Sequence, residues 1–157
     1  MKKFALFVFN GDPMCFIHVL LNALDMKEKG HEARIIIEGA SVKLIPDLVK
    51  PEFPLNGLWK KCIDSGLVEG VCRACSAKLG TLDAAKEQGL ALLDSMSGHP
   101  GIAAYRDEGY EVITAKDGQE GLDILAREKP DLILCDIAMP NVDGYSVLKT
   151  LKSNPTL

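Results

Sequence analysis

Apolar runs rich in Phe, Val and Ile alternate along the chain with amphipathic stretches, the pattern of a parallel sheet covered by helices on both faces. Residues 3–9 predict a buried strand. Ile17, Leu20, Leu21 and Leu24 then fall on one helical stripe that stops at Gly30, and residues 33–38 predict a second strand. Pro46, Pro51 and Pro54 interrupt the stretch 40–66, within which Leu58, Trp59, Cys62 and Ile63 keep helical spacing before Gly66. Residues 67–72 predict strand three. Thr81 is a candidate N-cap for a helix burying Leu82, Ala85, Gly89, Leu92, Leu93 and Met96. A short helix near 100–108 leads to Gly109 and a strand at 110–114.

Beyond that strand, Asp117 with Glu120 three residues on makes a capping-box-like start for a helix to about 128, broken by Pro130-Asp131. Leu132 to Cys135 is a short apolar strand ending at Asp136. A last helix, about 143–152, is expected to bury Val147, Leu148 and Leu151 before Asn154-Pro155 ends it. The pattern predicts one α/β domain over 1–157, three-layer α/β/α, with a mostly parallel sheet of about five strands and a flavodoxin-like general arrangement.

A chain of 157 residues with 47% hydrophobic and 25% charged positions has enough apolar material for a sizeable core. The mean hydropathy of +0.08 argues against a disordered or membrane protein. The net charge of −4 provides no basic footprint for nucleic acid or anionic lipid. The apolar start Phe4–Phe9 runs into Asn10-Gly11-Asp12-Pro13 with no small-residue cleavage site, and no stretch approaches the ~20 apolar residues of a bilayer span. A cytoplasmic location is expected. The five cysteines, Cys15, Cys62, Cys72, Cys75 and Cys135, are odd in number, which argues against a secreted disulfide framework.

Cys72 and Cys75 stand where strand three ends and the following turn or helix begins. Helix N-termini carry unpaired N–H groups and partial positive charge, which lower a thiol's pKa, and Arg73 and Lys78 add to that bias. Carboxyl ends of parallel strands are also where ligand chemistry gathers. The plain alternative is that Cys72 closes the strand as a small buried hydrophobe while Cys75 packs on the next turn. A lone C-x-x-C also serves as half a zinc site. No second C-x-x-C or H-x-x-x-H accompanies it, and with only His18, His31 and His99 in the chain no resident metal or cofactor is expected.

Three segments carry a resemblance: the opening F-V-F-N-G-D-P, the run V-C-R-A-C-S-A-K-L-G, and the stretch S-G-H-P-G-I-A-A-Y-R-D-E-G-Y-E-V-I-T. With them, residues 1 to about 114 resemble the DsrE/DsrF-like family of small cytosolic α/β proteins. The resemblance implies sulfur relay through a cysteine persulfide and self-assembly into oligomers. It makes Cys72, eight residues before Gly80, the sulfur-carrying position and Cys75 an accessory thiol, with a sulfur donor or acceptor protein as partner.

The stretches G-Y-E-V-I-T-A-K-D-G-Q-E-G-L-D-I-L and P-D-L-I-L-C-D-I-A-M-P-N-V-D-G-Y make residues 109–157 resemble a response-regulator receiver domain entered part-way, with residues 115–157 as its helix–strand–helix part. Asp136 takes the position of the phosphoacceptor. That chemistry implies Mg²⁺ held by an acidic pair after the first receiver strand, and a Thr or Ser and a Lys from the fourth and fifth. The chain stops at Leu157, where the third receiver helix ends, so those strands are expected to be missing. The slot beside strand 110–114 must be filled from the N-terminal part. If strand 3–9 fills it, Asp12 becomes a candidate metal-ligand remnant near Asp136; if strand 67–72 does, Cys72 faces Asp136. Asp143 and Gly144 read as the cap and turn before the last helix.

Both resemblances meet at E-G-Y-E-V-I. The leading expectation is therefore a recombined or engineered chimera of two related folds with no selected enzymatic activity. A cytosolic persulfide carrier using Cys72 is the first alternative, and a phosphoacceptor module at Asp136 the second.

Overall fold

Three consecutive segments form strands because each is a short stretch carrying β-branched or aromatic residues, which fit a half-buried pleated surface. In the structure, a computed structural model describing residues 1–111, 119, 121–123 and 142–154, these are β1 (Lys3–Val8), β2 (Glu32–Ile37) and β3 (Val68–Cys72). A two-residue strand, β4 (Leu92–Leu93), completes a sheet of order β1-β2-β3-β4, all parallel. On the free side of β1, Phe4 bridges in parallel to Glu111. The strand order therefore reverses at β1, as in a doubly wound three-layer α/β fold of flavodoxin-like arrangement. Strand 3–9, not strand 67–72, is thus the neighbour of residue 111.

Helices lie on both faces. α1 (Pro13–Glu28) and α3 (Asn56–Asp64) meet through Phe16 and Trp59, whose ring centroids are 6.4 Å apart. Trp59 Nε1 donates to Gln88 Oε1 at 3.3 Å, and Gln88 Nε2 donates to Ile45 O at 2.7 Å, tying α5 (Leu82–Glu87) to α2 (Ile45–Leu48). The opposite face is closed by α6 (Ile102–Asp107): Tyr105 and Tyr110 pack on Ala5, Phe7 and Ile36. Arg34 lies 4.7 Å from the centroid of the Tyr110 ring and pairs with Glu32, Glu69 and Glu108, so charge as well as packing holds this face.

Two expected stripes are redrawn. In α1 the buried residues are Phe16, Val19, Leu20, Ala23 and Met26, while Leu21 is exposed, because the helix is apolar on several sides and Trp59 selects the Phe16 side. The helix expected to run to Met96 stops at Glu87. Gly89, at φ +69°, donates its N–H to Lys86 O and Leu90 donates to Ala85 O, a Schellman ending that releases Leu92 and Leu93 to pair with β3.

The chain divides into two compact units, Met1–Val112 and Ile113–Leu157. In the second, α4 of the first unit (Arg73–Lys78) has its counterpart in α7 (Gly144–Ser153) only in being capped by the preceding residue. Asp143 caps α7, its Oδ1 accepting the Ser146 N–H at 2.7 Å, as expected of a cap. Val147 is buried in α7 whereas Leu148 is exposed. The expected strand 131–136 and most of helix 117–128 lie outside the described residues.

β4 is held close because Gly70 has no side chain: a Cβ there would stand 2.4 Å from Ala91 O. Gly70→Ala should lower unfolding stability by about 1–3 kcal/mol, the usual cost of forcing atoms into a packed contact. Urea unfolding measures it, and an unchanged midpoint would contradict this approach of the strands.

Candidate functional site

The register of β2 against β3 builds the site. Ile37 pairs with Val71, so the next residues, Glu38 and Cys72, leave the sheet side by side at its carboxyl end. Cys72 is the N-cap of α4, its Sγ accepting the Cys75 N–H at 3.4 Å. Cys72 is fully buried and Cys75, one turn on, is half-buried. Glu38 is anchored through its backbone: its N–H donates to Val8 O at 2.8 Å, and Gly39 follows in the left-handed region at φ +59°.

A tight hairpin brings the fourth group. Met96 and His99 exchange backbone hydrogen bonds of 2.8 and 2.9 Å across Ser97 and Gly98, at φ 50° and 86°. Two successive positive φ angles make this a type I′ turn. Ala74 N–H donates to Gly98 O at 2.9 Å, locking the hairpin onto the start of α4. His99 Nδ1 consequently sits 3.2 Å from Cys72 Sγ, 3.9 Å from Cys75 Sγ and 3.0 Å from Glu38 Oε1. One donor atom from each of the four residues lies within 4.8 Å of every other.

The expected lowering of the Cys72 pKa is not found. Burial pushes its thiol up to about 11; the Cys75 N–H opposes that shift, and the Cys75 and Glu38 charges add to it. Desolvation outweighs the N–H of a six-residue helix. Arg73 contributes nothing, being turned outward to Asp94 at 2.9 Å, and Lys78 is exposed. Cys62 is raised to about 11 by burial alone and lies 3.7 Å from Leu20 O, a packing thiol.

Of the other sequence candidates, Asp12 caps α1, its Oδ1 accepting the Met14 N–H at 2.7 Å. Asp136 lies outside the described residues, as do Cys135, Met139 and Pro140. Sequence reasoning missed Glu38 and gave His99 no role. The available signals were a carboxylate ending the run Ile35-Ile36-Ile37, and a Ser-Gly pair before His99 that fits a primed turn.

The uncharacterized protein MJ0733 of Methanocaldococcus jannaschii is 35% identical over 97 residues, covering 62% of this chain and 77% of the relative. The chain belongs to the family of that protein. Residues 101–157 match the response regulator receiver domain, starting at 101 rather than the expected 109. The response regulator PleD of Caulobacter vibrioides is 51% identical over 49 residues, 31% of this chain but 11% of PleD. Sporulation initiation phosphotransferase F of Bacillus subtilis is 42% identical over 48 residues, 31% of this chain and 39% of the relative. The chain thus spans well under half the length of these signalling relatives. No solved structure matches. Among the described residues, no helix is long and apolar enough to cross a membrane.

Burial orders the thiols. Alkylation of the native protein at pH 8 should mark Cys75 well before Cys62, which stays silent until the pH nears 11 or the chain unfolds, because a raised pKa removes the reactive thiolate below it. Peptide mass spectrometry reads this, and Cys62 reacting as fast as Cys75 would refute the placement.

Proposed function

We propose that the N-terminal unit is a sulfur carrier that holds sulfane sulfur as a persulfide on Cys72, with Cys75 as the thiol through which sulfur enters and leaves. The observation that carries this reading is the convergence of both thiols with His99 Nδ1 at the carboxyl ends of parallel strands. The Cys75 thiolate attacks the outer sulfur of a donor persulfide and releases the donor's thiolate. Cys72 then attacks that outer sulfur as His99 takes its proton, and the Cys75 thiolate leaves. Cys72, buried, shelters the sulfur; Cys75, half-buried, meets the donor or acceptor protein. Cys15, Cys62, Cys72 and Cys75 are free thiols, which suits a reducing, cytoplasmic setting. A recombined chain without activity is the weaker account, because it gives no reason for four reactive side chains brought from β2, β3, α4 and the 96–99 hairpin to meet.

The test is to incubate reduced, chelator-treated protein with inorganic polysulfide. Cleavage after Arg73 separates the two cysteines for mass spectrometry. One added sulfur should appear on Cys72 in the wild type and remain on Cys75 in Cys72→Ser, while Cys75→Ser loads more slowly. No added sulfur at either cysteine, or loading indifferent to both substitutions, would sink the reading.

A second reading rests on the receiver match over 101–157: the C-terminal unit is a phosphoacceptor signalling module whose acceptor is Asp136 and whose partner is a phosphoryl donor such as a kinase. The signalling relatives support it. Acetyl phosphate with Mg²⁺ should give a phosphoryl adduct that hydroxylamine cleaves, as it does an acyl phosphate, and that Asp136→Asn abolishes; an adduct unaffected by that substitution would rule Asp136 out.

A further inference from the structure

We propose that Glu38, Cys72, Cys75 and His99 form a binding site for a zinc-class divalent transition-metal ion. The inference goes beyond sulfur transfer and does not depend on it, since the same four donors bind a cation whether or not Cys72 ever carries sulfur.

Cys72 Sγ has backbone partners, Gly98 O at 3.6 Å and the Cys75 N–H at 3.4 Å, but the contacts on His99 cannot all be hydrogen bonds. Cys72 Sγ, Cys75 Sγ and Glu38 Oε1 all crowd a single ring nitrogen, Nδ1 of His99, at 3.2, 3.9 and 3.0 Å. That atom carries either one proton or one lone pair, so it cannot serve three partners. A hydrogen-bonded triad would use the two ring nitrogens for two different neighbours. A cation at the centre of the four donors engages each of them along one lone pair.

The spacing fits such an ion. Bond lengths of about 2.0–2.3 Å for Zn–N, Zn–O and Zn–S at tetrahedral angles place neighbouring donors roughly 3.4–3.8 Å apart. The observed separations from Nδ1, 3.0 to 3.9 Å, lie within a few tenths of an ångström of that range, and since the four donors lie within 4.8 Å of one another a bound ion would draw the wider pairs together. The donor set decides the class: two thiolates and an imidazole favour zinc-like ions over Mg²⁺ and Ca²⁺, which want oxygen. Three anionic ligands complement a divalent charge.

The surroundings hold the donors in place and leave a way in. Cys72 and Glu38 stand at adjacent strand ends, Cys75 N–H binds Cys72 Sγ, and Ala74 N–H fixes the hairpin that carries His99. These backbone contacts are the outer shell that orients metal ligands. The His99 side chain is 39% exposed and that of Glu38 12%, so the cluster opens to solvent on the His99 side. The C-x-x-C thus acquires its missing half from a histidine and a carboxylate distant in sequence.

Co²⁺ titration of the reduced full-length protein tests this, with Zn²⁺ competition. One Co²⁺ per chain should bind with tetrahedral d–d and thiolate-to-cobalt charge-transfer absorption, displaced by Zn²⁺ but not by Mg²⁺ or Ca²⁺. His99→Gln and Cys75→Ser should each weaken Zn²⁺ binding by more than the roughly 10–100-fold that loss of an outer-shell partner costs. Both positions are partly exposed, and circular dichroism of the metal-free variants confirms their fold. Zn²⁺ should also slow alkylation of Cys75. Absent charge-transfer bands, displacement by Mg²⁺, or affinity unchanged in both variants would overturn the proposal. The persulfide assay is run on chelator-treated protein, so failure here leaves that result standing, and the reverse.

Discussion

The parallel pairing of β2 with β3 is the contact on which the site depends, and it contains an irregularity. Ile35 pairs with Val68, but Ile36 pairs with Gly70, so β3 carries one extra residue, Glu69, between the two. Side chains alternate across a sheet with a period of two, and a shift of one residue turns every later side chain to the opposite face. The bulge therefore decides the face on which Cys72 emerges, and with it the side chain's position beside Glu38. Glu69, displaced from the regular ladder, pairs with Arg34 at 3.4 Å and so ties the irregularity to the face closed by Tyr105 and Tyr110.

Around the thiols, desolvation and local charge act against each other. Burial and the Cys75 and Glu38 charges raise the Cys72 pKa, and only the Cys75 N–H lowers it. A free thiolate is thus disfavoured in the resting site. Proton transfer to His99 or capture by a cation would each supply the compensating positive charge, so the proposed sulfur-carrying role and the proposed metal site draw on one arrangement of side chains. The same low-dielectric setting makes Cys72 a poor target for passing reagents and leaves Cys75 as the more accessible of the two thiols.

Among the described residues, the two units differ in burial. The first buries both faces of its sheet, with Ile35, Ile36 and Ile37 fully inaccessible to water. In the second, α7 buries Val147 but exposes Tyr145 and Leu148.

Strong local signals were legible in the chain. The runs of Phe, Val and Ile in β1, β2 and β3, the position of Cys72 at a strand end and the capping role of Asp143 follow from residue type and its neighbours alone, because backbone propensity, capping and period-two burial act within a few residues. Other features were not local. Leu92 and Leu93 fit a helical stripe as well as a strand, and only the Schellman ending at Gly89 and the space left by Gly70 make them β4. α1 is apolar on several sides, and Trp59 chose the one that is buried. Glu38 and His99 stand 61 residues apart. What the sequence by itself determined was the strands β1, β2 and β3 and the place of one cysteine pair; the tertiary structure alone decided which groups surround that pair, because strand register and a hairpin docked on α4 set distances that no spacing along the chain encodes.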